Sequence, residues 1–383
     1  MRCLVCLVLS AHALSAAEPG GLTVRNGQLL RAGRPFAAYG LNVRDLADEI
    51  LDKGEAATDC FAALRVIGEH KVPFIRFWAS YFDNRRKFLA DPERYWRHMD
   101  LLVAAAERAG VGLAPTLFWD SWKVPWTFDE FCLDWGDQAS KTRAFAQRYT
   151  RDFLTRYRGR PVFWFWEFSN ENNLMWDLPN GLEFLPKDRK VARNLATREV
   201  GEASIRLFGE TVRELDATRP ISSGCSSPRA CQWHLARDQA NPWANDSAEQ
   251  SAEAAGWTAP APVDLLSIHY YARHARYDAE LVRAELARYQ QIATRMNRPL
   301  YVGEFGVLDG HGQTGTDFDE AAYQRHARDL FQAVHEAKVP LSAWWVYSAK
   351  GYGRGMGALS ATDRRWDFVF DLLAEYNRKL AAG

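Results

Sequence analysis

Two segments of this 383-residue chain join an apolar run to an acidic end. Phe163-Trp164-Phe165-Trp166-Glu167-Phe168-Ser169-Asn170-Glu171-Asn172 starts with aromatics and closes on polar groups, and Leu300-Tyr301-Val302-Gly303-Glu304-Phe305-Gly306 repeats the design. A carboxylate at the end of an apolar strand is costly to desolvate, so each glutamate needs a partner or a chemical task. Two carboxylates flanking one bond can break a glycosidic linkage. One protonates the leaving oxygen and the other attacks the sugar, and they stand about 5 to 5.5 Å apart when configuration is retained.

Such a pair must be held by a rigid frame. Short apolar runs at 36–42, 72–78, 112–118, 162–170, 220–224, 264–269, 300–304 and 341–346 read as strands. Helical patterns at 56–70, 93–109, 141–157, 194–216, 279–295, 320–337 and 366–380 alternate with them. The alternation predicts a parallel sheet, and eight βα units predict one α/β domain, a (β/α)8 TIM barrel, over 18–383. Segment 22–30, with its Asn26-Gly27 turn, reads as a small N-terminal hairpin that closes the barrel floor. Glu171 and Glu304 then lie at the carboxyl ends of strands four and seven, the face where barrel enzymes carry their chemistry. Long βα loops at 119–137 and 225–263 follow strands three and five on that face. Loops of that length in a compact domain are expected to be functional.

These strings resemble glycoside hydrolase family 5, within the clan of barrel glycosidases, and the likeness has cellulase and β-mannanase character. It spans nearly all of the mature chain. Trp166-Glu167-Phe168-Ser169-Asn170-Glu171 resembles the family's Asn-Glu signature, which implies Glu171 as catalytic acid/base and Asn170 as the neighbour that contacts the sugar 2-hydroxyl. Tyr301-Val302-Gly303-Glu304-Phe305-Gly306 resembles the nucleophile strand and implies Glu304 as nucleophile. Arg76, in Ile75-Arg76-Phe77-Trp78, matches the strand-two arginine implied to hold the nucleophile ionised. His269-Tyr270-Tyr271 matches a His-x-Tyr after strand six, with Tyr271 beside the nucleophile and His269 near the acid/base. Trp345, in Trp344-Trp345-Val346-Tyr347, fits the tryptophan platform under the sugar. One element departs from the pattern: where family members often place a histidine, strand three here ends in Phe118-Trp119-Asp120-Ser121-Trp122. Trp119 and Trp122 are expected to line the same groove. The implied roles require Glu171 to start protonated and Glu304 ionised, with Arg76 and Tyr271 favouring charge on Glu304 and repulsion keeping the proton on Glu171. The duller reading of Arg76 is a core ion pair with Glu167, which sits deeper along the strand.

Composition narrows the partners. Lys+Arg and Asp+Glu balance at 48 each, so no net field draws the chain to nucleic acid or an anionic membrane, and a neutral substrate is expected. Most of the 15 Trp and 14 Tyr should pack cores, while those in polar loops are placed to meet a sugar face. Met1-Arg2, the apolar run at 3–9 and the small residues through Ala17 have the three regions of a secretory signal over 1–17. The run is well short of the about 20 residues that span a membrane. A secreted or periplasmic protein is expected, with no membrane association after removal of the signal. Cys60, Cys132, Cys225 and Cys231 would then meet oxidising conditions, and Cys225–Cys231 is the favoured pairing. No metal is expected, since His269 and His274 lack His-x-His spacing and an acidic cluster. No cofactor is expected either: the glycine-rich run at 351–357 lacks the Lys-Ser/Thr of a phosphate loop.

The sequence therefore predicts a monomeric, retaining, endo-acting β-glycoside hydrolase that cuts β-1,4-mannan or β-1,4-glucan polysaccharide. An exo-glycosidase or transglycosylase would share the site. A noncatalytic carbohydrate-binding barrel would need aromatic platforms but no paired carboxylates.

Overall fold

The computed structural model describes residues 21–238, 240–308, 319–349, 359–360 and 364–382. The signal segment 1–17 and the glycine-rich run 351–357 lie outside the described residues. Eight strands form one sheet: β1 (Ala38–Val43), β2 (Phe74–Trp78), β3 (Gly112–Phe118), β4 (Trp166–Ser169), β5 (Ile221–Ser222), β6 (Leu266–Arg273), β7 (Leu300–Leu308) and β8 (Leu341–Tyr347). Neighbours pair in parallel in the order β5-β4-β3-β2-β1-β8-β7-β6. The ends of that order meet where the amides of Asp264 and Leu265 donate to the Ile221 carbonyl at 2.9 and 3.1 Å. This closes the ring into the expected (β/α)8 barrel.

Burial explains why the strands read as unbroken apolar runs. Every residue of β1, β2 and β3 is buried, because the outer face packs on helices and the inner face on the opposite strands. The outer layer is formed by Thr58–Glu69, Pro92–Ala109, Lys141–Tyr157, Arg198–Arg213, Ala279–Arg295, Glu320–Glu336 and Phe368–Ala382. Alternation sorts the side chains of β4: Trp166 and Phe168 join the outer core beside Phe163 and Phe208, which leaves Glu167 and Ser169 for the lumen. The lower lumen is filled by Phe74, Ala114, Phe165, Tyr301 and Leu341. A hairpin of Leu22–Arg25 and Gln28–Arg31 packs its Leu22 and Leu29 against that plug, and a short third strand, Arg34–Pro35, completes the floor sheet. Its Asn26-Gly27 turn has positive φ at both residues, which matches the right-handed twist of a tight hairpin.

Several elements depart from expectation. Strand β4 begins at Trp166 rather than 162, since before it only Leu113 and Phe163 bridge. Strand β7 runs on to Leu308, and its register shifts between Val302 and Glu304. The segment 225–263 is not a bare loop: it holds the helices Gln232–Arg237 and Ala248–Trp257. The second opens with a reciprocal capping box between Ser247 and Gln250, a Ser-x-x-Gln signal present in the sequence. Two further helices, Leu46–Lys53 and Phe82–Ala90, follow β1 and β2 and are short enough to escape periodicity arguments. The expected Cys225–Cys231 bond is absent, and Cys132, Cys225 and Cys231 are free thiols. Cys225 is packed in the core at the barrel end, whereas Cys231 lies at the start of the next helix and is partly exposed.

Gly224, just past β5, supports the catalytic end of β4 directly. Its φ is +67°, and a Cβ there would lie 1.7 Å from the Ser169 carbonyl oxygen. Its own carbonyl accepts the Glu171 amide at 2.8 Å. Gly224→Ala is expected to cost more than about 2 kcal/mol through strain and overlap. Equilibrium denaturation measures this, and a loss under about 0.5 kcal/mol would contradict the tight approach of β5 to β4.

Candidate active site

The site is organised by one buried cation. Arg76 points inward from β2 with no solvent exposure. Its Nε donates to Glu167 Oε1 at 2.6 Å, Nη1 to Glu304 Oε1 at 2.7 Å and to Asn42 Oδ1 at 3.0 Å, and Nη2 to Asn170 Oδ1 at 2.9 Å. Burial opposes the guanidinium charge, but Glu167 and Glu304 together hold its pKa above the ordinary value. The two readings of Arg76 are thus both realised, because one planar group serves both carboxylates. Glu167 is also fixed by Thr116 Oγ1 at 2.6 Å and Ser222 Oγ at 2.9 Å.

Glu304 faces the lumen because of the irregularity in β7. Tyr301 belongs to the inner plug and Val302 to the outer core, while Phe305 is again outside. Strict alternation would put Glu304 outside; the extra residue between Val302 and Glu304 turns it inward. Its second oxygen, Oε2, accepts the Tyr271 hydroxyl. Burial and the adjacent Glu304 charge push the Tyr271 hydroxyl well above its ordinary value, so it remains a donor.

Glu171 stands just beyond β4 with left-handed backbone, φ 51°, and its side chain is 32% exposed. Its Oε1 lies 3.0 Å from His269 Nδ1, and the same Nδ1 lies 3.4 Å from Glu304 Oε2. Carboxylates accept only, so Nδ1 carries the hydrogen that faces both. Ligand atoms of Glu171, His269 and Glu304 all lie within 4.8 Å of one another. Among the described residues this is the group that could converge on a metal ion. An ion there would compete with the guanidinium already bonded to Glu304.

The expected upward shift of Glu171 is not what this arrangement produces. Burial does raise its carboxyl, but the His269 hydrogen bond and the charges of His269 and Arg76 outweigh that and hold it below the ordinary glutamate value. An N–H interposed between the two carboxylates replaces much of their repulsion by attraction.

A cleft of about 580 Å³ opens above these groups. Asn170, Glu171, Tyr271, Glu304, Trp119 and Trp345 line it, so these expected residues are brought together. Trp119 and Trp345 are nearly parallel, with centroids 6.1 Å apart and planes at 21°. Trp119 also covers the Arg76 guanidinium at 4.8 Å and meets Trp78 edge-on at 4.5 Å. Trp122 is not brought to the cleft; it packs edge-on against Trp126, 5.2 Å away, and under the Lys123 ammonium. Where the histidine of strand three would be sought, Asp120 forms a buried pair with Arg85 at 2.6 Å. Sequence reasoning missed Arg44, Asp45, Asp48, Glu49, Trp78, Tyr81 and Ser348 on the cleft wall. For Arg44, Asp45, Asp48 and Glu49 the one signal was the charged string after β1, and such strings are usually solvated.

No protein-family model matches the sequence, and no curated protein is found to be related to it. The three-dimensional comparison is decisive for the architecture. An endo-1,4-β-mannanase from Rhizomucor miehei aligns over 95% of this chain and 100% of its own, at 14% identity and TM-score 0.61. A glycoside hydrolase family 5 mannosidase from the same organism aligns over 96% and 99%, at 14% identity and TM-score 0.64. The fold is that of glycoside hydrolase family 5. The catalytic domain of the Thermobifida fusca endoglucanase Cel5A aligns over 93% of this chain and 97% of its own, at 15% identity and TM-score 0.52.

The His269 contact generates a titration test. Glu171 should protonate below the ordinary glutamate value, and His269→Phe, which removes the N–H, should move that midpoint upward. Carbon-13 NMR of the glutamate carboxyls, assigned with Glu171→Gln, reads both. The sign for stability follows: a carboxyl depressed on folding contributes above its unfolded value and loses that contribution as pH falls through the folded value. An unchanged midpoint in His269→Phe would remove His269 from this role.

Proposed function

We propose that the chain is a retaining β-glycoside hydrolase acting on a neutral β-1,4-linked mannan or glucan, with Glu171 as acid/base and Glu304 as nucleophile. The observation that carries it is the facing pair: one oxygen of each carboxyl lies within 4.8 Å of the other, and of the two it is Glu304 that Arg76 and Tyr271 bond. So close an approach of the two carboxyls is compatible with the about 5 to 5.5 Å between groups that suits direct attack. In the first step Glu304 attacks the anomeric carbon while protonated Glu171 gives its hydrogen to the leaving oxygen. In the second, Glu171 takes a proton from water, which attacks the same carbon and frees Glu304. In this reading Asn170, fixed by Arg76, meets the sugar 2-hydroxyl. The neighbours' names, a mannanase, a mannosidase and an endoglucanase, support the choice of polysaccharide. The reading includes export, on the leader at 1–17, and action as a monomer.

The low-lying Glu171 carboxyl gives this mechanism an acidic bias. kcat/KM for a substrate whose leaving group needs protonation should rise as pH falls from neutrality toward the Glu171 value. The roles separate by stereochemistry. In Glu171→Ala an activated aryl glycoside can still form the glycosyl-enzyme, and added azide should release a β-glycosyl azide. In Glu304→Gly azide can attack only from the vacated face, giving an α-glycosyl azide. An α product from the Glu171 variant, or unchanged hydrolysis in either variant, sinks the assignment.

A further inference from the structure

We infer that the cleft holds a single terminal sugar on the glycone side of Glu171, so that the protein removes residues one at a time from the non-reducing end of its substrate instead of cutting internal bonds. This rests on the glycosidase reading above. The cleft draws its lining from the ends of β1, β2, β3, β4, β6, β7 and β8 and the segments just after them, and none from the long segment that follows β5. Glu304 and Trp345 are therefore inside it, and Glu171 marks the side on which the leaving group departs. At about 580 Å³ it falls among compact small-ligand pockets, roughly 300–1,000 Å³.

The far wall is the segment 44–49, and it is tied down on both sides. Toward β8, the Arg44 amide donates to the Tyr347 carbonyl at 3.2 Å, and Ser348 Oγ and the Ala349 amide donate to Asp45 at 2.6 and 3.0 Å. Toward β2, Trp78 Nε1 donates to Asp48 Oδ2 at 2.9 Å, and Asn84 Nδ2 donates to Asp48 Oδ1. The Arg44 guanidinium lies 5.8 Å from the Trp78 ring centre. A substrate chain continuing past the first sugar would have to pass through this wall.

The chemistry of the wall suits a chain end. Carboxylates accept hydrogen bonds and cannot donate them while ionised. Asp45, Asp48 and Glu49 all reach the cleft surface. A sugar on the glycone side is linked to the scissile oxygen through its anomeric carbon, so its opposite edge is either a free hydroxyl, at a non-reducing terminus, or a further glycosidic oxygen. Only the first supplies a donor. A glycosidic oxygen there would offer the three carboxylates nothing and could meet only the Arg44 guanidinium.

The test uses the full-length protein with β-1,4-mannohexaose and β-1,4-glucohexaose, each tagged at the reducing end, and mass spectrometry of the first products. Tagged pentaose with free monosaccharide, in more than about tenfold excess over other tagged products, is expected. Tagged trimers and tetramers with untagged di- and trisaccharides as first products would overturn end-attack while leaving the glycosidase reading intact. Failure to cleave either hexaose or any aryl β-glycoside would overturn both. Asp48→Ala, which cuts the ties to Trp78 and Asn84, should raise the disaccharide share at least about fivefold. An unchanged share in a variant with native circular dichroism would remove the wall as the cause, and should that variant misfold, the wild-type product pattern alone decides.

Discussion

One guanidinium shared by two buried carboxylates is the constraint on which the site depends. Arg76 and Glu167 are fully buried and Glu304 is nearly so, so three charges sit where water cannot screen them. Removing one partner would leave an uncompensated charge in the interior, a loss of order 3–5 kcal/mol. The cation must therefore be satisfied on every side, and it is, from three strands. Asn42 reaches it from β1, Glu167 from β4, Asn170 from just beyond β4, and Glu304 from β7. A slip of one residue in any of these pairings would turn its contact outward. The ion cluster thereby specifies barrel register as well as charge. Lysine, a point charge without a planar fork, could not meet acceptors in so many directions.

The apolar plug and the polar cluster divide the lumen. Below, Phe74, Phe165, Tyr301 and the hairpin leucines exclude water. Above, Thr116, Ser222 and Asn42 hold the charged groups in place, and Asn42 Nδ2 spans to the carbonyls of Gly303 and Ala343 at 2.9 and 3.1 Å. That last bridge fastens the bulge of β7 from the opposite side. The residue that breaks strand alternation is thus itself held by a side chain, which fixes an irregular backbone beside the Glu304 carboxylate.

Charge in this protein is a local matter. The chain as a whole is balanced, yet the segment after β1 brings Asp45, Asp48 and Glu49 to one wall of the cleft beside Glu171 and Glu304. Burial, with the charge of Asp45 added, raises the Asp48 carboxyl even though Trp78 and Asn84 bond to it. A field of this kind attracts donors and repels anions, so a hydroxyl-rich neutral sugar suits it and an acidic one does not.

The sequence by itself determined the barrel, because short unbroken apolar runs and period-3.6 apolar patterns are local and survive without knowledge of contacts. It also singled out Glu171 and Glu304, since a carboxylate ending an apolar strand is visible in one dimension, while Arg76, His269, Tyr271 and Trp345 came from the resemblance of their strings to family 5. What it could not hold was anything set by distance between strands. Whether Arg76 served Glu167 or Glu304 depended on where β2, β4 and β7 converge, and the answer was both. The low Glu171 carboxyl depends on His269 reaching across from β6, and the free thiols on Cys225 packing into the core while Cys231 opens the next helix. Trp119 and Trp122 are three residues apart and look alike in sequence, yet one covers Arg76 in the cleft and the other packs on Trp126, because the turn between them points their rings in different directions. The cleft wall was least legible of all: nothing in a short charged string marks Asp45 and Asp48 until folding ties them to Ser348 and Trp78 and sets them, with Glu49, on the cleft.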